Sequence, residues 1–192
     1  MKTLITALRV LALMMILTGV VYPLLIAGLA TAFLPRNAAG NLVTVAGRVI
    51  GSRLIGQQFT DPRYFWPRPS AVGYNPLPSG GSNLSPTSAS LQAQIADRKA
   101  QLAKVTGSNR IPADLYLASG SGLDPDISLE AALYEVHSVA RARGLDSSLS
   151  AAAVRMVYDH TIPRTLGFLG EPRVNVLLLN LALDSLDSSG HR

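Results

Sequence analysis

The chain has 192 residues, a net charge of +5, 48% hydrophobic residues and no cysteine. The missing cysteines exclude a disulfide framework, a thiol nucleophile and a Cys-based zinc site. Lys2 and Arg9 supply two of the positive charges, and the rest are scattered without the basic cluster that tracks phosphates, which excludes nucleic acid as a partner.

From Val10 to Leu34 no side chain is charged. A helix over this run reaches about 37 Å at 1.5 Å per residue, enough for the ~30 Å hydrocarbon core of a bilayer. A cleaved signal peptide shares the basic head and finds a small-x-small site at Ala30–Ala32, but its apolar region is only about 7–15 residues long. A buried core helix of this length would carry a polar face. The expectation is an uncleaved anchor over residues 1–35, spanning at 10–34, with a kink at Pro23. Gly28 and Ala32 form a small-xxx-small pair that either packs on another helix or faces lipid. Lys2, Arg9 and the terminal amine precede the span, while Arg36, Arg48 and Arg53 follow it more sparsely, so the positive-inside rule leans toward an amino terminus inside and the remainder outside.

Residues 36–47 read as a linker, 48–187 as one domain and 188–192 as a tail. Arg48–Gln57 reads as a short strand bent at glycine. Phe59–Asn83 is rich in Pro and Gly, which excludes regular structure, yet it carries Phe59, Tyr64, Phe65, Trp66 and Tyr74, five of the eleven aromatics. Disordered segments are poor in aromatics, so an ordered, packed loop is expected. Ser85 is the expected cap of a helix opening at Pro86, with Leu91, Ile95, Leu102 and Val105 inward and Gly107 as its stop. Asp114–Ala118 reads as a buried strand. Asp124 is the expected cap of the next helix, with Leu129, Leu133, Val136 and Ala140 inward and Gly144 as its stop. Asp146 opens a third helix, with Leu149, Ala153, Met156 and Val157 inward. Arg173–Leu178 reads as a last strand running into an apolar helix at 180–186. The whole is an α+β domain on a single span.

The sequence offers little catalytic chemistry. Ser79–Asn83 (S-G-G-S-N) could expose backbone amides to an anion, but it lacks the lysine and the strand-to-helix setting of a phosphate loop; a tight loop is the alternative. Ser119, Ser121 and Asp124 sit in a strand-to-helix loop that suits a ligand or a cap. His137, His160 and His191 have no ligand spacing, and no G-x-S-x-G elbow supports a hydrolase. Tyr64, Phe65, Trp66 and Arg68 are residue types that anchor interfaces; internal packing beneath the loop is the competing reading. Tyr74 and Asn75 join them as interface candidates.

These blocks in this order resemble the C subunit of the bacterial Kdp high-affinity potassium-transporting ATPase: L-I-G-Q (54–57), Y-F-W-P-R-P-S-A (64–71), Y-N (74–75), S-G-G-S-N (79–83), A-S-G-S-G-L-D-P-x-I-S (118–128), V-A-R-A-R-G-L (139–145) and G-E-P-R-V-N-V-L-x-L-N-L-A-L-D (170–184). The resemblance covers nearly the whole chain. It implies a non-catalytic accessory subunit of the bacterial inner membrane, with no cofactor of its own. Its implied partners are a channel-like potassium-binding subunit, a P-type ATPase subunit and a small single-span subunit. It further implies a catalytic chaperone that raises the ATPase subunit's affinity for ATP, or a subunit that binds ATP directly. A stretch like L-S-x-E-Q, linked in the family to nucleotide, corresponds here to Leu145–Leu149, where the glutamine is absent. The nucleotide candidates are then Ser79, Gly80, Gly81, Ser82, Asn83, Ser119, Ser121 and Asp124.

Overall fold

The computed structural model describes residues 1–190, with side chains described to Leu186. The chain divides into two compact units, Met1–Ser52 and Arg53 onward.

The first unit opens with α1 (Lys2–Ile16) and α2 (Tyr22–Phe33), joined through a π-helical turn at Leu17–Val21. Together they form one apolar helix of 32 residues, long enough to cross a membrane and with no buried residue. The π turn lies just before Pro23, whose ring clashes with the preceding turn and whose missing N–H removes a ladder bond; the widened turn accommodates both. The stretch expected to be linker holds a helical turn, α3 (Pro35–Ala38), and β1 (Leu42–Val45), which pairs antiparallel with β2 (Arg48–Ser52). Ala46 and Gly47 both have positive φ, +48° and +79°, as a two-residue hairpin loop of the twisted kind requires. The expected strand at 48–57 therefore stops at Ser52.

In the second unit α4 (Ala89–Thr106) begins three residues later than expected. Ser85 closes a turn instead, its carbonyl accepting from the Ser88 N–H at 2.9 Å and its Oγ from the Thr87 N–H at 3.4 Å, and Ser88 takes the cap position. The expected strand at 114–118 is a one-turn helix, α5 (Ala113–Tyr116). Pro112 presets its first turn, and the Asp114 carboxylate is held by the Ser128 N–H at 2.9 Å. Asp124 does not cap a helix: residues after Pro125 enter β3 (Asp126–Ser128), and Ser128 caps α6 (Leu129–Ala142) by accepting from the Ala131 N–H at 3.1 Å. Asp146 caps α7 (Ser147–Asp159) as expected, at 2.8 Å from the Leu149 N–H, and this bond together with one from Ser148 holds its carboxyl below the usual range. Gly107 and Gly144 close their helices in the left-handed region.

β4 (Thr161–Ile162) and β5 (Arg173–Asn175) complete a small antiparallel sheet in the order β3-β5-β4, with Ile127 opposite Val174. The last strand is shorter than expected because the Asn175 Oδ1 accepts from the Leu178 N–H at 3.2 Å and starts α8 (Val176–Gly190) there. The expected tail thus begins inside α8, and residues 191–192 lie outside the described ones. Phe65, Leu102, Leu115, Ile127, Val136, Val157, Val174, Leu179 and Leu183 form one core between the sheet and the helices. The protein is an α+β fold with a single apolar amino-terminal helix.

Candidate functional site

The aromatic loop and the glycine-rich loop meet, and most of their chemistry is spent on each other and on the helices behind them. Phe65 is 1% exposed, a core residue and not a surface anchor. Its backbone is read like a strand by one buried side chain: the Phe65 N–H donates to Asn180 Oδ1 at 2.8 Å, and Asn180 Nδ2 donates to the Phe65 carbonyl at 3.1 Å. Trp66, half-buried, donates its backbone N–H to both Glu135 carboxylate oxygens at 3.3 Å and its indole N–H to the Asp61 carbonyl at 3.2 Å. Glu135 is fully enclosed, so burial pushes its carboxyl well above the usual range, against a smaller opposing effect of the Trp66 N–H.

Tyr64 lies under the Arg143 guanidinium, 4.8 Å from the ring centroid, and its hydroxyl donates to Asp184 Oδ2 at 3.2 Å. Arg143 also donates to the Arg63 carbonyl at 2.7 Å and pairs with Asp184 at 2.8 Å. Three of the sequence blocks therefore converge here: Y-F-W-P-R-P, R-A-R-G and N-L-A-L-D. The roles of Asn180 and Asp184 escaped the sequence reading, although both are polar and lie four apart in the mostly apolar first part of α8, a spacing that puts them on one face. Exposed Asp61 is held below the usual carboxylate range by its bonds to Arg63.

The other half of the site is a seam between loops. Arg68 pairs with Asp124 at 2.9 Å; the Ser119 N–H donates to the Pro69 carbonyl at 3.0 Å, and the Gly80 N–H to the Ser121 carbonyl at 2.9 Å. The Gly56 N–H closes the far side on the Leu123 carbonyl at 2.8 Å. The backbones run so close that a Cβ on Gly56 would lie 2.5 Å from the Asp124 carbonyl oxygen. One on Gly122, itself at φ +68°, would lie 2.6 Å from Val72 Cγ2 and 2.8 Å from the Gly80 carbonyl oxygen. Within the aromatic loop itself the Tyr74 hydroxyl donates to the Arg68 carbonyl at 2.9 Å, and burial pushes its pKa up to about 12.

The remaining candidates face outward. Asn75 accepts from the Leu77 N–H at 3.0 Å; Ser79, Ser82 and Asn83 are exposed, and Asn83 has φ +53°. Gly81 abuts the Gly120 carbonyl. The S-G-G-S-N amide at Gly80 is thus already bonded to the neighbouring loop and not gathered around an anion. Ser121 Oγ accepts locally from the Leu123 N–H, while Ser119 Oγ and Arg68 Nε are buried with no partner among the described residues.

Two recesses flank the seam. One, about 290 Å³, lies under Phe59, Trp66, Tyr74 and Arg98, and Arg98 is already engaged by the Tyr116 carbonyl at 3.1 Å. The other, about 280 Å³, is lined by Asp114, Asp124, Asp126 and Glu171 with Arg68 and Arg173; Arg68 pairs with Asp124, and Arg173 with Asp126 at 3.0 Å. Both fall at or below the lower end of ordinary ligand pockets. Among the described residues no His/Cys/Asp/Glu group could hold a metal ion.

A helix long and apolar enough to cross a membrane, followed by an α+β domain whose motif residues build its own interior, defines a protein of the single-span type. The family described as K+-transporting ATPase, c chain, matches residues 4–185, and the chain belongs to this KdpC family. A potassium-transporting ATPase KdpC subunit of Geobacter sulfurreducens is 50% identical over 190 residues, covering 97% of this chain and 99% of the relative. That of Gemmatimonas aurantiaca is 51% identical over 193 residues (98% and 96%), and that of Sorangium cellulosum 53% over 173 residues (88% and 90%). Family membership supports an accessory role in potassium import.

Proposed function

We propose that the chain is a non-catalytic membrane subunit that stabilises the assembly of the channel-like and P-type ATPase subunits of a potassium pump and raises the ATPase subunit's affinity for ATP. The observation that carries this reading is that the sequence blocks shared with the family converge on one scaffold. In it Arg68 pairs with Asp124, Arg143 with Asp184, Glu135 with the Trp66 amide, and the Gly56 and Gly80 amides with neighbouring carbonyls, so their chemistry is spent on one another. The span lies in the inner membrane with the amino terminus inside, and the domain works from the outer side. ATP is then a bilayer away, so its affinity changes through coupling between separate sites. Such couplings are typically about 1–3 kcal/mol, or roughly 5–150-fold.

The test is the ATP KM of the purified complex with and without this subunit. Removal is expected to raise KM at least five-fold, and re-addition of the full chain to restore it. An unchanged KM overturns the coupling. Saturable ATP binding by the full chain alone favours direct nucleotide contact instead.

A further inference from the structure

The turn between β4 and β5 leaves a concentrated apolar surface uncovered. Leu166, Phe168 and Leu169 are 79%, 69% and 50% exposed, within a six-residue run (165–170, T-L-G-F-L-G) that carries no charge. Its backbone is closed on itself: Thr165 and Leu169 exchange N–H···O bonds of 2.9 Å in both directions. The Gly167 N–H donates to the Arg164 carbonyl at 3.1 Å and the Phe168 N–H to the Thr165 carbonyl at 3.3 Å. With the Thr165, Gly167, Phe168 and Leu169 amides satisfied internally, the tip enters an apolar recess with few donors left to strand. Leu166 stands at φ +55°, where a leucine is strained and a glycine is not, so the tip holds its outward side chain at a conformational cost. At the base, Arg164 and Glu171 pair at 2.8 Å and make the collar neutral.

We propose that this tip is an anchor by which the domain docks into an apolar recess on the outer face of a partner subunit, with Phe168 as the central side chain; this rests on the accessory-subunit reading above. The neutral collar argues against lipid, because segments that dock on anionic bilayers present unpaired Lys or Arg around their apolar residues. The area argues against a second copy. Three side chains offer a few hundred Å², whereas a free-standing specific interface uses about 800 Å² per partner. An anchor of this size suffices for a partner already held in the same membrane, where confinement raises the effective concentration. An exposed aromatic seated in a pocket is a usual centre for such a contact.

A photo-crosslinking phenylalanine analogue at position 168, in the intact complex in native membranes, is the direct test. The expected product is a covalent adduct with the mass of this chain plus one partner subunit. If the wild-type complex co-purifies but the adduct forms only with lipid, only with a second copy, or not at all, the anchor is refuted and the accessory reading stands. If no partner co-purifies with the wild type, both fall. Two variants separate docking from folding. Phe168→Asp is expected to lower partner recovery at least ten-fold with an unchanged melting midpoint. Leu166→Gly is expected to lower recovery several-fold while the midpoint stays or rises. Wild-type recovery of both variants overturns the proposal.

Discussion

Glu135 is the residue at which this fold departs furthest from ordinary solution chemistry. Its carboxyl faces the Trp66 amide from within the core, and burial raises its proton affinity above the unfolded value near 4.5. Between that value and the higher folded one, the folded chain keeps a proton that the unfolded chain has released. Stability therefore falls as pH rises through this window, and no such loss occurs below it. Glu135→Gln keeps an acceptor for Trp66 and has no proton to lose. Melting curves from pH 5 to 8 are expected to decline for the wild type and to be flatter for the variant, which becomes the more stable of the two at pH 8. Parallel curves would show that the carboxyl is not held neutral. The other shifted carboxyls, Asp61 and Asp146, are exposed and lowered, so their effects lie below this range.

At the scale of elements, the lesson is how a loop without regular structure becomes rigid. The 56–83 and 119–124 segments are joined by amide-to-carbonyl bonds, a partly buried ion pair and glycine-to-backbone contact. In a mostly buried pair with Arg68 Nε left without a partner among the described residues, desolvation offsets much of the attraction, so backbone proximity holds the seam. Gly122→Ala places a methyl against Val72 and the Gly80 carbonyl at a left-handed φ, and is expected to cost roughly 2–3 kcal/mol. Gly80→Ala meets nothing within 4 Å and is expected to stay within about 0.5 kcal/mol. Thermal melts of the two variants check this directly; equal destabilisation would mean that Gly80 is needed for its own conformation, as an anion-holding loop would require. The apolar face of α6 and its stop at Gly144, and α7 with its Asp146 cap, were legible because those signals are local. Asp124 misled because its carboxylate answers to Arg68, 56 residues away, and to the Asp126 amide. Residues 114–118 misled because five mostly apolar residues do not distinguish a buried strand from a single helical turn. The hairpin at Ala46–Gly47 was hidden because alanine occupies a position where asparagine or glycine is the usual signal. Phe65 looked like an interface anchor because an aromatic's type does not reveal that Asn180, 115 residues later, holds its backbone inward.

For the molecule as a whole, access to nucleotide depends on which side of the membrane the second unit occupies. The apolar helix has Lys2 and Arg9 at its amino-terminal end and neither Asp nor Glu anywhere before Asp61, so the positive-inside rule has only basic residues to weigh here. Lys2 and Arg9 lie within the first nine residues, close to the start of the apolar run, whereas Arg48 and Arg53 are at least fourteen residues past its end and only Arg36 is adjacent. The tighter grouping of Lys2 and Arg9 is the ground for the proposed outward placement of the carboxyl-terminal domain. Alkaline phosphatase, active only outside the cytoplasm, is expected to be active when fused after residue 192, and a cytoplasm-dependent fluorescent reporter at the same place is expected to be dark. Lys2→Glu with Arg9→Glu removes the asymmetry and is expected to lower phosphatase activity several-fold at equal expression. A bright fluorescent fusion on the wild-type chain would put the domain beside ATP and replace coupling across the membrane with direct contact. A phosphatase signal insensitive to the charge reversal would mean that the folding or assembly of the domain sets the orientation instead of the flanking charges.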